Sequence, residues 1–226
     1  MKPRHEQKYI INRGDYLEAR ERFCAVLQRD DFADKRGEYT VRSLYFDNYN
    51  DKALMEKIDG VSRREKFRIR FYNGNLSAIK LEKKMKENDL CYKLTCTIDK
   101  QECETVLAGR AGEIEEQGRP LMGEFKRKII NEFLRPAVVI DYTREAYVYP
   151  AGNVRVTFDK YMRTGVKSVN LFDEGLPTIP SMDPRLMVLE VKFDEFLPGI
   201  VADLLKPIGR FRGAVSKYTL CRIYGW

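Results

Sequence analysis

The stretch "REKFRIRFY", residues 64 to 72, decides the fold because it carries a cation at every second position as far as residue 70. In a β-strand, side chains two residues apart lie on the same face. The pattern therefore predicts a strand with one charged face and one apolar face. The charged face holds Arg64, Lys66, Arg68 and Arg70, and the apolar face holds Phe67, Ile69 and Phe71.

Similar alternating runs occur along most of the chain, and helical runs separate several of them. The predicted strands are residues 4–11, 38–47, 63–72, 77–86, 90–98, 137–149, 153–164 and 186–194. The predicted helices are residues 14–29, 50–59 with Asn50 as N-cap, 99–109, 120–134, 199–209 and a last one near 214–223. The segment 165–185 is predicted to be a long connection that is partly strand and partly loop.

Nearly every predicted strand has charged residues on one face. For one strand considered alone, a solvent-exposed face of an antiparallel sheet is the better explanation of these charges. When all the strands are considered together, their apolar faces must pack on helices. This favours an α+β fold, an antiparallel β-barrel with a polar, cation-lined bore and helices packed outside. Cations crowded in a bore are unfavourable unless anions neutralise them, so the pattern predicts a polyanion and a divalent metal.

Composition limits the remaining possibilities. The 226 residues, 43% of them hydrophobic, predict one globular domain spanning residues 1–226, and the net charge of +7 favours an anionic partner. The five cysteines form no Cys-x-x-Cys pair, which indicates neither a disulfide framework nor a thiolate zinc site. The sequence shows no signal peptide and no membrane span. We therefore expect a cytoplasmic protein, and a membrane partner in trans is left open. The only histidine, His5, argues against a histidine-dependent nucleophilic site.

Eight short motifs follow one another along the chain: "RHEQKY" (4–9), "SLYFD" (43–47), "KFRIRFY" (66–72), "IKLEKKMK" (79–86), "DYTREAY" (141–147), "VRVTFD" (154–159), "LEVKF" (189–193) and "SKY" (216–218). In this order they resemble the VTC domain, the polyphosphate polymerase domain of the triphosphate tunnel metalloenzyme (CYTH-like) superfamily. The resemblance implies an eight-stranded antiparallel tunnel that binds ATP and polyphosphate, uses Mn²⁺ or Mg²⁺, and transfers the γ-phosphate of ATP to a growing polyphosphate chain.

The resemblance also implies roles for the residues at matching positions. The implied catalytic residues are Arg68, Arg70, Lys84, Arg144, Arg155 and Glu190. The implied substrate-binding residues are Lys8, Arg68, Arg70, Lys84, Arg144, Arg155 and Lys217, to which we add Lys93 and Lys192 as further tunnel cations. The expected metal ligands are Glu190, Glu82 and Glu6.

One departure from the superfamily pattern bears on the chemistry. The superfamily typically begins with Glu-x-Glu-x-Lys, whereas Arg4 replaces the first glutamate here and leaves Glu6. Fewer carboxylates favour a single-metal, cation-rich site over two-metal hydrolysis. Three alternatives stay open: a triphosphatase or cyclase of the same superfamily, a non-catalytic receptor for polyphosphate or another polyanion, and a nucleic-acid binder. The last ranks lowest because the aromatic residues of residues 64–72 lie mostly on the face opposite the cations.

Overall fold

The computed structural model describes residues 2–30, 33–88, 90–208, 213 and 215–223. Within these residues the chain forms ten strands and six α-helices. The strands are β1 (Arg4–Asn12), β2 (Gln28–Arg29), β3 (Glu38–Asp47), β4 (Arg63–Tyr72), β5 (Asn75–Glu87), β6 (Leu90–Ile98), β7 (Arg135–Tyr149), β8 (Val154–Thr164), β9 (Ile179–Pro180) and β10 (Leu186–Phe193). The helices are α1 (Arg13–Val26), α2 (Lys52–Ile58), α3 (Lys100–Leu107), α4 (Pro120–Glu132), α5 (Gly199–Leu205) and α6 (Lys217–Ile223).

Eight of the described strands form a closed antiparallel ring. Their order is β7-β3-β4-β5-β6-β1-β10-β8, and a β7–β8 pairing returns to the start. The two-residue strands β2 and β9 pair with β7 and β8 beside the ring, and they are too short to show any periodicity in the sequence. The predicted α+β tunnel is confirmed. None of the helices in the described segments is long and apolar enough to cross a membrane.

The apolar faces of the strands point outward and are covered by helices. Phe67 stacks on Phe125 of α4, in a cluster that also includes Ile69, Phe71 and residues of α3. On the other side of the ring, α1 and α5 cover the outward faces of β8 and β10. Because alternate residues of a strand point to opposite faces, the outward packing turns Arg68 and Arg70 into the bore.

The helix α6 differs from the others, because it packs on residues that face the bore. Its Tyr218 stacks on Tyr45 of β3, and its Cys221 belongs to a buried cluster with residues of β7, β8 and β10. The pair α2 and α6 therefore covers the β3 and β7 side of one end of the ring.

The start of α2 corrects one prediction. The helix begins at Lys52 instead of residue 50, and Asn50 does not cap it. The carboxylate of Asp47, at the end of β3, accepts the backbone N–H groups of Ala53 and Leu54, while the Asn48 side chain accepts that of Lys52. The hydroxyl of Tyr218 donates to the same Asp47 carboxylate at 2.6 Å, so one carboxylate joins β3, α2 and α6.

Candidate functional site

The bore of the ring holds a cavity of about 330 Å³ with an excess of positive charge. Among the described residues, twelve Lys and Arg side chains and two glutamates line it. Every predicted site residue except Glu82 is part of this lining. The predicted residues that the cavity brings together are Glu6, Lys8, Arg68, Arg70, Lys84, Lys93, Arg144, Arg155, Glu190, Lys192 and Lys217.

The two lining glutamates lie on neighbouring strands and share the same cations. In the β1–β10 register, Glu6 is opposite Lys192 and Lys8 is opposite Glu190. The Nζ of Lys8 lies 3.3 Å from Glu6 Oε2 and 3.4 Å from Glu190 Oε2. The Nζ of Lys192 lies 2.6 Å from Glu190 Oε1 and 3.6 Å from Glu6 Oε1. From β5, Lys84 donates to both oxygens of Glu6 at 2.7 and 2.8 Å.

These contacts keep the carboxylates ionised although they are buried. Burial alone raises the pKa of the Glu190 carboxyl, but the ammonium groups of Lys192 and Lys8 overcome this and hold that pKa well below its usual range. Burial likewise raises the pKa of Glu6, and Lys8 and Lys84 lower it further than burial raises it. The site therefore offers two carboxylates that stay ionised near neutral pH, each in contact with lysine side chains.

A second cluster joins β4, β5 and β6. The Nε of Arg68 donates to Glu82 Oε2 at 2.7 Å, and Lys93 lies 3.1 Å from Glu82 Oε1. The hydroxyls of Tyr45 and Tyr142 accept hydrogen bonds from Arg68 and Arg70, each at 2.9 Å. Glu82 is 2% exposed and lies behind the arginines, outside the cavity lining. Its placement favours positioning of Arg68 over the predicted metal role.

The Arg68–Glu82 pair predicts a specific stability effect. Arg68→Ala should lower the free energy of unfolding by about 3 kcal/mol, because it leaves the buried Glu82 carboxylate with much of its compensating charge removed. The double variant Arg68→Ala/Glu82→Gln also removes the negative charge of residue 82 and should recover most of the lost free energy of unfolding. Urea unfolding at pH 7 measures both variants. Equal stability of the single and double variants would show that Glu82 does not depend on Arg68.

A third cluster lies where β7, β8 and α6 meet. Arg144 donates to both oxygens of Asp159, at 2.6 and 2.9 Å, and Lys217 of α6 lies 2.5 Å from Asp159 Oδ2. Asp159 is fully buried; burial raises its pKa, but Arg144 and Lys217 hold the pKa at about 2. Arg155, also on β8, contacts the Asp30 carboxylate and the Tyr39 hydroxyl.

Four functional candidates were not predicted as site residues. The side chains of Tyr45, Tyr142 and Asp159 contact the arginines. All three occupy the alternate positions of their strands that face the bore, so this alternation was the sequence signal for them. The fourth is Thr157, which lines the cavity opposite Glu190 in the β8–β10 register. Its Oγ is buried and has no hydrogen-bond partner among the described residues. A buried hydroxyl without a partner indicates a place where a polar ligand is expected.

The bore offers few ligands of its own for the divalent metal that the resemblance implies. Within the described residues, no group of three or more His, Cys, Asp or Glu side chains is placed to hold a metal. Mg²⁺, however, is usually held by one or two carboxylates together with substrate phosphates and waters. Glu190 and Glu6 supply two carboxylates. Thr157, opposite Glu190, adds a buried hydroxyl that has no hydrogen-bond partner among the described residues. The residues thus fit a single metal that also needs phosphate ligands.

Solved structures with a similar fold are known. A putative adenylate cyclase from Bacillus halodurans has a similar structure, with a TM-score of 0.55 and 12% identity over 95% of this chain and 94% of its own. A putative adenylyl cyclase from Hippeastrum, which has a dominant triphosphatase activity, is similar with a TM-score of 0.51 and 15% identity over 100% of this chain and 97% of its own.

At these identities the structures establish a shared fold. No curated protein sequence matches the chain. The family model of the VTC domain, in contrast, matches residues 3–223, almost the entire chain. The chain therefore belongs to the VTC domain family.

Proposed function

We propose that this protein is a polyphosphate polymerase that transfers the γ-phosphate of ATP to a growing inorganic polyphosphate chain inside the tunnel. The VTC domain and the tunnel fold support a polyphosphate-related tunnel enzyme. The observation that carries the finer proposal is the charge of the bore, in which twelve cations and two glutamates line one cavity. So large an excess of cations suits a ligand with many negative charges along its length.

Phosphoryl transfer requires positioning and charge neutralisation more than covalent chemistry by the protein. In the proposed step, a terminal oxygen of the polyphosphate chain attacks the γ-phosphorus of ATP and the bond from that phosphorus to the ADP oxygen breaks. The chain gains one phosphate and ADP leaves. The attacking oxygen is already anionic, so the step needs no general base. This agrees with a cavity whose ionisable lining is mostly Lys and Arg.

The arginines have the geometry to hold phosphate oxygens in fixed places. Arg68 and Arg70 are oriented by the hydroxyls of Tyr45 and Tyr142, and Arg144 by the carboxylate of Asp159. A guanidinium fixed in this way loses little side-chain entropy when it binds a phosphate. These three arginines would align the triphosphate for in-line attack.

The lysines and glutamates would complete the site. Lys84, Lys8 and Lys192 would neutralise charge on the transferring phosphate. Arg155 and Lys93, whose side chains are more exposed, would bind further phosphates. Glu190, with Glu6, would hold Mn²⁺ or Mg²⁺, which when bound supplies further neutralisation between phosphate oxygens. Thr157 would donate a hydrogen bond to a phosphate oxygen next to Glu190.

The test is a product assay on the purified protein. We expect that ATP with Mn²⁺ and a short polyphosphate primer yields ADP and long chains, resolved on a polyphosphate-stained gel, with little free phosphate. Free phosphate without long chains would contradict the polymerase and support a triphosphatase. If the protein binds tripolyphosphate but turns over no substrate with either Mn²⁺ or Mg²⁺, both the polymerase and the triphosphatase would be contradicted and a receptor would be supported.

A further inference from the structure

A second cavity, of about 380 Å³, opens beside the tunnel. It lies between α2, the start of β4, the end of β5 and the described residues near 215, on the β1 and β5 side of the ring end that α6 partly covers. We call it the cationic vestibule. It is lined by Glu6, Lys8, Lys57, Arg64, Lys66, Lys84, Lys86, Gly213, Val215 and Ser216.

The vestibule is continuous with the tunnel, because several residues line both cavities. The shared residues are Glu6, Lys8, Lys66, Lys84 and Ser216. The strand β4 also runs through both. Arg68 and Arg70 line the tunnel, whereas Arg64 lines the vestibule and Lys66 lies between the two. Successive cations on this face are about 7 Å apart, since the strand rises about 3.3 Å per residue. One strand thus carries a row of cations from the tunnel into the vestibule.

The vestibule contains far more positive than negative charge. Six of its lining residues in the described segments are Lys or Arg, and Glu6 is its single carboxylate and is already bound by Lys84. Among described residues, no carboxylate lies within 4 Å of the side-chain nitrogens of Lys57 or Lys66, although both residues are half-buried. Burial lowers the pKa of Lys66 to about 7 against the opposing effect of the Asp47 carboxylate, and nearby Arg64 and Lys57 add to the lowering. Lys57, Arg64 and Lys66 repel one another and would be stabilised by an anion.

We propose that the cationic vestibule is a second binding subsite, which holds phosphate residues of a polyphosphate chain whose end lies in the tunnel. This inference rests on the proposed function, since it extends the same ligand beyond the tunnel. The shared lining and the row of cations along β4 favour a continuous chain over a separate small anion. Tripolyphosphate, which the tunnel can accommodate, would make little use of this subsite.

The test compares two ligands and two charge-matched variants of the full chain by isothermal titration calorimetry. Lys57→Gln/Arg64→Gln removes two vestibule cations, and Arg110→Gln/Lys206→Gln removes two exposed cations elsewhere, at residues with side chains 60% and 76% exposed. The probes are inorganic tripolyphosphate and long-chain polyphosphate. We expect the vestibule variant to lose about tenfold in affinity for the long chain, as two half-exposed ion pairs would contribute. Its affinity for tripolyphosphate should stay within about twofold, which also shows that it folds.

The outcomes separate this inference from the proposed function. The control variant should bind both probes like the wild type. A vestibule variant that binds long chains as tightly as the wild type, or that loses both ligands equally, would overturn the vestibule and leave the tunnel proposal intact. A wild-type protein that binds neither probe would overturn both. If the wild type binds long chains but does not make them, and the vestibule variant shows the expected loss of long-chain affinity, the vestibule is supported and the polymerase proposal is contradicted.

Discussion

Replacing Glu190 by glutamine is expected to lower the rate of ADP formation by about 100-fold or more, while tripolyphosphate binds at least as tightly as before in the absence of metal. Glutamine keeps the shape of the side chain and removes its charge. Glu190 is 4% exposed, and its carboxylate lies 2.6 Å from Lys192 and 3.4 Å from Lys8. Without that carboxylate, both ammonium groups are freer to contact phosphate, but the expected metal ligand is lost.

Two measurements separate the effects of this variant. The ADP-release rate reports catalysis, and calorimetry with tripolyphosphate in a chelator reports binding without metal. The matched control is Glu124→Gln, which changes a glutamate that contacts Lys83 on the outer face of the ring and should leave both readings unchanged. Full turnover in Glu190→Gln would contradict a catalytic role for this carboxylate. Loss of tripolyphosphate binding together with turnover would indicate a structural role.

The inward-facing cations were predictable because the side-chain period of a strand is two residues. Once "REKFRIRFY" is a strand, the apolar Phe67 must pack outward, and Arg68 and Arg70 must then face the bore. The same rule placed Lys84 and Glu190 in the cavity. Closure into eight strands followed from the resemblance, since periodicity alone does not show which strands are neighbours.

Other features depend on contacts between residues far apart in the chain. The helix α6 was predicted as a helix, but its position against bore-facing residues depends on Tyr218 reaching Tyr45 and Asp47. The cap of α2 likewise comes from Asp47 on the preceding strand, instead of the local Asn50. Asp159 had the correct parity for the bore, but the sequence does not show that it is the shared partner of two cations.

Asp159→Asn is expected to lower the free energy of unfolding by about 3 kcal/mol, because it leaves two buried cations without their shared counter-charge. Arg144 and Lys217 are each 8% exposed and contact only this carboxylate among the acidic residues described within 4 Å. Tripolyphosphate would supply negative charge to the same cations. We therefore expect the ligand to raise the melting temperature of the variant by more than it raises that of the wild type.

Acid adds an independent check on the same carboxylate. The folded-state pKa of Asp159 is about 2, below its ordinary value of 3.8, so its contribution to stability is present above about pH 4 and is lost as the pH falls through 2. This contribution is about 2 kcal/mol, and the asparagine variant lacks it. The wild type should thus lose more stability than the variant between pH 5 and pH 2, although both retain other buried carboxylates that titrate in acid.

The contrast with a partly exposed aspartate decides whether burial is the cause of these effects. Asp183, paired with Arg185, also has a pKa lowered to about 2, but its side chain is 36% accessible and that of Arg185 is 86% accessible, so solvent screens the pair. Asp183→Asn should therefore unfold in urea like the wild type at every pH. If Asp159→Asn is as stable as this control, Arg144 and Lys217 do not need the carboxylate. If tripolyphosphate stabilises wild type and Asp159→Asn equally, the phosphates do not reach these cations, and the arginine alignment proposed for the tunnel is wrong.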